Sequence, residues 1–213
     1  MRKAYLFSII LLIVLFALSV CSYQVFPNKI ASHWNAQGMA DSYTNKFWGL
    51  FLIPIISLGV FLLFLLIPVL DPLRKNISKF RRYFDTFTVI IILFFLYLHI
   101  LTILFNLGIR FNFTLMLMPA LAILIFYSGI LIENAKRNWF VGIRTPWTLS
   151  SDKVWNKTHE VGGRLFKASA VIMLLGIFFP KYSIFFIIVP LLFSALFSFI
   201  YSYYVYKKLR KKY

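Results

Sequence analysis

Apolar residues run along this chain in long unbroken stretches rather than in stripes at helical or strand spacing. Six stretches stand out, at 4–24, 47–70, 86–108, 114–132, 168–179 and 183–205. A helix rises 1.5 Å per residue and needs about 20 apolar residues to cross about 30 Å of hydrocarbon. The first four stretches and the last reach or approach that length. The fifth is short, and is expected to extend backward through 162–167 with Arg164 and Lys167 snorkelling to the interface. The pattern predicts an all-α integral membrane protein with six transmembrane helices.

Two polar, motif-rich loops interrupt the apolar runs. In the first, at 25–46, Pro27 ends a span, and Asn35-Ala36-Gln37-Gly38 has turn chemistry with Gly38 free to take positive φ. Asp41-Ser42 offers a side-chain-to-backbone turn, and Lys46-Phe47-Trp48 opens the next span at headgroup level. In the second, at 133–166, Thr145 precedes Pro146 and is biased to an extended conformation. Ser150 or Ser151 is placed to cap a helix with Asp152 in its first turn. Val154, Thr158, Val161 and Leu165 then recur at helical spacing, beside a stripe of Trp155, His159, Gly162 and Phe166. This predicts one amphipathic helix lying at the interface and bending into the fifth span at a Gly162-Gly163 hinge. The chain divides into an N-terminal hairpin (1–70), a basic linker and middle hairpin (71–133), and a C-terminal module with the last hairpin (134–213). Pro68 and Pro72 bracket the start of the linker.

Composition agrees with a membrane scaffold. The chain is 61% hydrophobic and 14% charged, against about 25% charged in ordinary soluble domains. Its net charge of +17 is unevenly spread. Of the 23 basic residues, 19 fall in the two tails, the 71–85 linker and the 133–167 segment; Lys29, Lys46, Arg110 and Lys181 are the other 4. The positive-inside rule then puts both termini in the cytoplasm of a multi-pass cell-membrane protein. Loop 25–46 is outside and loop 133–166 inside, so their residues do not meet in one site. The charge is a topology signal and an attraction to anionic lipid before anything else, and direct nucleic-acid binding is not expected. A single cysteine, Cys21, excludes an internal disulfide. It follows Leu18-Ser19-Val20, where a lipoprotein processing site would want a small residue in place of Val20, so the first span is expected to be a retained helix.

The candidate chemistry is sparse. His33 and Asp41 lie outside and His159 inside, too few on either face for a closed metal site. His99 falls within the third span, a functional position by default, or a helix glue through neighbours near Tyr97 or Tyr127. Arg144 can pair with Glu133, Asp152 or Glu160, or bind phosphate. Trp139, Trp147 and Trp155 read as an aromatic belt. No nucleophile elbow, zinc helix or phosphate-binding glycine loop is present, so no enzyme activity and no cofactor are expected.

The two loops carry a resemblance. Pro27, Ile30-Ala31-Ser32-His33-Trp34-Asn35, Gly38, Asp41 and Lys46 are similar to the N-terminal module of the SdpI family. Asn138-Trp139, Gly142-Ile143-Arg144-Thr145-Pro146-Trp147-Thr148-Leu149, Trp155, Thr158-His159 and Gly162 resemble its C-terminal module. The resemblance implies a receptor-like membrane protein giving immunity to a secreted peptide toxin and holding a cytoplasmic transcriptional repressor at the membrane. On that reading His33, Trp34, Asn35, Gly38, Asp41 and Lys46 contact the peptide or shape the outer surface. Arg144, Thr145, Pro146, Trp147, Trp155 and His159 report that state or hold a protein inside. The alternatives are a small transporter or lipid-handling protein built on His99 and the aromatic spans, and a structural accessory subunit.

Overall fold

The computed structural model describes residues 2–210. Lys211, Lys212 and the side chain of Arg2, all counted above among the basic tails, lie outside the described residues. In chain order the elements are α1 (Arg2–Tyr23), β1 (Lys29–Trp34), β2 (Ala40–Asn45), α2 (Lys46–Leu70), α3 (Arg74–Lys79), α4 (Arg81–Asn106), α5 (Phe113–Asn134), α6 (Pro146–Ser150), α7 (Asp152–Leu175) and α8 (Ser183–Arg210). Two 3₁₀ turns, Gly176–Phe178 and Pro180–Tyr182, connect α7 to α8. Six helices, α1, α2, α4, α5, α7 and α8, are long and apolar enough to span a bilayer. The protein is thus an all-α, multi-pass membrane protein with one small hairpin sheet.

The helices pack in two groups. α1, α2 and α4 form one; α5, α7 and α8 form the other; α4 against α5 joins them. Lipid tails are as apolar as leucine, so close packing and polar contacts hold such groups together rather than the hydrophobic effect. Glycines set the closest crossing. A Cβ on Gly129 of α5 would stand 2.6 Å from the Gly163 carbonyl oxygen of α7, and a Cβ on Gly163 the same 2.6 Å from that of Gly129. Serines do the same between α7 and α8. Ser194, Ser198 and Ser202 recur every fourth residue and are all buried. Ser169 of α7 bonds the Ser194 hydroxyl at 2.8 Å and donates to the Pro190 carbonyl at 2.9 Å.

Proline and polar side chains are matched within the first group. Pro54 lies inside α2 and has no N–H to give the Leu50 carbonyl one turn earlier. Ser19 of α1 supplies the missing donor, at 2.7 Å. His99 of α4 then bonds the same hydroxyl through Nε2 at 2.9 Å. The Nε2–H tautomer lets Ser19 accept from the imidazole while its own proton goes to Leu50. Three helices are tied at one point by groups that hydrocarbon would otherwise leave bare.

Two boundaries differ from the expected ones. α4 begins at Arg81, ahead of 86, which brings Asp85 into the helix beside Arg81 at 2.6 Å, with Tyr5 of α1 donating to it at 3.3 Å. The amphipathic helix expected at the interface is the first half of α7, which continues into the fifth span with no interruption at Gly162-Gly163. The expected bend gives way to close packing. A Cβ on Gly162 would run into Ile143 and stand 3.1 Å from Ser198 Oγ, while Gly163 faces α5. The pair lets two partners approach one helix instead of breaking it.

Candidate functional site

Each of the two motif loops folds into an ordered cap, and the caps sit at opposite ends of α5. Asn112, just before α5, bonds the hairpin; Ala135, just after it, bonds the second loop. At 22 residues, α5 holds them about 33 Å apart.

The first cap is an antiparallel hairpin, an element that the sequence reading did not contain. β1 and β2 pair from Lys29 with Asn45 to Trp34 with Ala40, with register irregularities either side of His33. The turn follows the expected chemistry. Asn35 Oδ1 accepts from the Gln37 and Met39 amides, each at 3.0 Å, and Gly38 has φ +74°. A side chain at Gly38 would also collide with Asn112. Two asparagines outside the loop fix its position. Asn106 accepts from the Ala31 amide at 2.8 Å and donates to the Ala31 carbonyl at 3.0 Å, acting as a third strand one residue long. Asn112 donates to the Gln37 carbonyl at 2.8 Å while its Oδ1 caps α5 by accepting from Leu115.

The hairpin residues then divide by role. Trp34 stacks on Phe113 at a 3.8 Å centroid distance and meets Phe105 edge-on at 5.3 Å, so it pins the hairpin to the helix ends. His33 and Asp41 face each other across the strands at 2.5 Å and are both exposed. The side-chain turn expected at Asp41 is replaced by this pair. Lys46 lies over the Tyr23 ring at 4.6 Å, and Asn45 caps α2 by accepting from Phe47.

The second cap is wired more densely. Asn138, fully buried, accepts from the Phe140 and Val141 amides and donates to the Lys136 and Val141 carbonyls. Thr145 is extended before Pro146, as expected, and forms a capping box with Thr148 at the start of α6. The Thr145 hydroxyl also bonds Ser202 of α8 at 3.0 Å. Ser151 caps α7. Arg137 Nε lies 2.8 Å from Asp152, and its Nη1 donates to the Leu149 carbonyl at 3.0 Å. From α2, Asp71 reaches in. Its buried carboxyl accepts from the Trp139 amide at 2.8 Å and from Leu73 at 2.6 Å.

Several expectations for this loop are corrected. Arg144 pairs with none of the three acids proposed for it, because each is taken: Asp152 by Arg137, Glu160 by Arg164, Glu133 by Lys167. Arg144 donates instead to the Trp139 carbonyl at 2.6 Å and remains exposed. Trp155 is not part of a belt. It is fully buried, donates from Nε1 to the Ala135 carbonyl at 2.8 Å, and stacks on His159 at 3.8 Å. His159 is buried as well; its Nε2 accepts from the Ile143 amide at 3.0 Å and its Nδ1 bonds the Trp155 carbonyl at 2.8 Å. Gly142, at φ +110°, is the residue that lets the loop cross this imidazole. Trp155, His159 and Thr145 therefore build the cap from within and present no surface to a partner. Trp147 packs on Phe199 and Tyr203 of α8, half-buried. Ahead of α6 the exposed residues of this loop are Lys136, Trp139, Phe140 and Arg144, with Pro146 exposed at the start of α6.

Asp71, Asn106, Asn112 and Asn138 matter most to both caps, and the sequence reading gave none of them a role. A polar residue immediately beside an apolar span was the available signal at Asp71 and Asn112, and a lone asparagine near the end of one at Asn106. His99, on which the transporter alternative was built together with the aromatic spans, is buried and bonded to the Ser19 hydroxyl at 2.9 Å. Among the described residues no three His, Cys, Asp or Glu side chains gather as a metal site.

The SdpI/YfhL protein family model matches residues 134–202, which hold the second cap together with α7 and most of α8. A family described as a domain of unknown function, DUF1648, matches residues 10–58, which hold the hairpin, the later part of α1 and the first half of α2. Among curated proteins, the Immunity protein SdpI of Bacillus subtilis (strain 168) is 29% identical over 208 residues, covering 97% of this chain and 98% of that protein. No solved structure matches. The resemblance read from the two loops is borne out: residues 134–202 match the SdpI/YfhL family model, in a chain similar to an SdpI immunity protein over nearly its whole length.

Proposed function

We propose that this protein is a membrane immunity protein that protects the cell producing it from a secreted peptide toxin, and that it does so as a binding and signalling protein without catalysing a reaction. The observation that carries the reading is the likeness to Immunity protein SdpI, which runs through both caps rather than through one shared module. Charge supports the orientation. The end of the bundle that holds the second cap also holds Arg74, Lys75, Lys79, Lys136, Arg137 and Lys153, and the positive-inside rule assigns such an end to the cytoplasm. The hairpin then faces arriving peptide. Its exposed His33 and Asp41, with Asn35 at the turn, are the groups that a peptide would meet first.

On the cytoplasmic side, Trp139, Phe140, Arg144 and Pro146 would form the surface that engages a regulator, an aromatic and cationic patch of the kind that centres protein interfaces. Trp147 supports that surface from behind by its contacts with α8. Coupling between the faces would run through α5, which bonds both caps and packs on α7 at Gly129 and Gly163.

The test is survival. Toxin-sensitive bacterial cells producing the protein are challenged with the secreted sporulation-delaying toxin that typifies the SdpI family, alongside His33→Ala and Trp147→Ala versions of equal membrane abundance. Protection by the parent is expected, with His33→Ala reducing protection and Trp147→Ala sparing protection while losing retention of the cytoplasmic regulator. No protection by a correctly inserted parent would overturn the immunity reading for this toxin.

A further inference from the structure

Beneath the hairpin lies a cavity of about 720 Å³, within the range of sites that bind small molecules. The hairpin roofs it with Ser32 to Ala36 and Thr44. Its walls are α2 (Trp48, Leu52), α5 (Leu117, Leu121) and α8 (Ile184, Ile187), with α4 behind. On α5 the lining runs from Phe113 to Leu121, about 12 Å of helix axis. The cavity therefore reaches from the headgroup level into one leaflet of the hydrocarbon. α2 and α8 stand on either side with little or no contact between them. That gap opens sideways, toward the bilayer, and Trp48 and Leu52 are half exposed along it, at 54% and 46%.

The lining has a definite chemistry. No Asp, Glu, Lys or Arg contributes to it. Its one ionisable side chain, His33, is at the roof and engaged with Asp41. Hydroxyl and amide groups of Ser32, Asn35, Thr44 and Thr114 cluster at the roof end, and aliphatic side chains fill the deep end. A charged head brought under the hairpin would lose water and find no counter-charge, at a cost that an uncharged head avoids. Asn35 Oδ1 and the Thr114 hydroxyl are engaged within the protein, but a wholly apolar chain would leave the Ser32 and Thr44 hydroxyls without partners.

We propose that this cavity is a binding site for an uncharged amphiphile of the bilayer, with its apolar chain entering between α2 and α8 and its hydroxyl or carbonyl head beneath the hairpin. The site stands independently of the immunity reading.

The full-length protein in phosphatidylcholine vesicles provides the test. Three photoreactive diazirine probes share one long alkyl chain and end in a hydroxyl, a carboxylate or a trimethylammonium group. Mass spectrometry locates the labelled residues. The alkanol is expected to label 48–53 and 184–187 at least about fivefold more than either charged probe. Filling the cavity by Leu117→Trp from α5, or independently by Ile187→Trp from α8, should remove that labelling. Labelling near Pro119 and Ile123, which line a separate lipid-facing groove on α5, should persist in both variants and serves as the check on folding. Equal labelling by all three heads would make the occupant ordinary surrounding lipid and overturn the proposal. So would labelling confined to the Pro119 groove, or labelling unchanged in both filled variants.

Discussion

At the scale of single residues, polar side chains complete backbone hydrogen bonding where the helices leave it incomplete. Ser19 is the sharpest case, because the carbonyl it serves is bare for a stated reason, the proline one turn on. Ser19→Ala should cost about 1–2 kcal/mol of stability, read as a fall in the unfolding midpoint in detergent. In a Pro54→Ala background the Leu50 carbonyl regains a helical donor, and the same Ser19→Ala change should cost less than half as much. Equal costs in both backgrounds would show that the hydroxyl does not serve that carbonyl. Asp71 does the same outside the helices. Asp71→Ala strips acceptors from the Leu73 and Trp139 amides together and should lower stability by about 2–4 kcal/mol, with Asp71→Asn falling between. A loss no larger than that of an exposed substitution such as Lys75→Ala would contradict its role as the anchor of the second cap.

At the scale of elements, the long helices were legible because an apolar run of more than about 18 residues has almost one structural meaning. The hairpin was not. Its strands, KIASHW and ADSYTN, lack the apolar alternation that marks a half-buried strand, and only Ile30 and Ala31 are buried in them. What holds them is supplied from elsewhere, by Asn106, Asn112 and the Phe113 ring, and no local reading contains those contacts. Helix continuity at Gly162-Gly163 was misjudged for a related reason. Two glycines lower the propensity of an isolated helix, but here the missing side chains are what bring α5, Ile143 and α8 close. Gly163→Leu should therefore separate α5 from α7 and lower the unfolding temperature sharply with insertion retained. Gly59→Ala, where a Cβ meets nothing within 4 Å, should leave stability unchanged or raise it by about 0.5–1 kcal/mol. Similar losses at both glycines would mean that α5 and α7 do not meet as described.

At the scale of the whole molecule, one bundle carries two ordered caps at its two ends, and the proposed function uses both. Neither cap contains residues of the other, so a hairpin variant and a second-cap variant should fail in different assays, the first in protection and the second in regulator retention. The basic residues around the second cap and the scarcity of them at the hairpin are the basis of the proposed direction in the membrane. Every functional step proposed above takes that direction as its premise, so it is the claim to measure. Cys21 is replaced by serine, and single cysteines are placed at Gln37 in the hairpin turn and at Lys136 in the second cap, both exposed. Intact cells are then treated with a membrane-impermeant thiol reagent. The account predicts rapid labelling at position 37 in intact cells and labelling at position 136 only after the membrane is opened. Labelling at 136 in intact cells, with 37 protected, would reverse the molecule and contradict it.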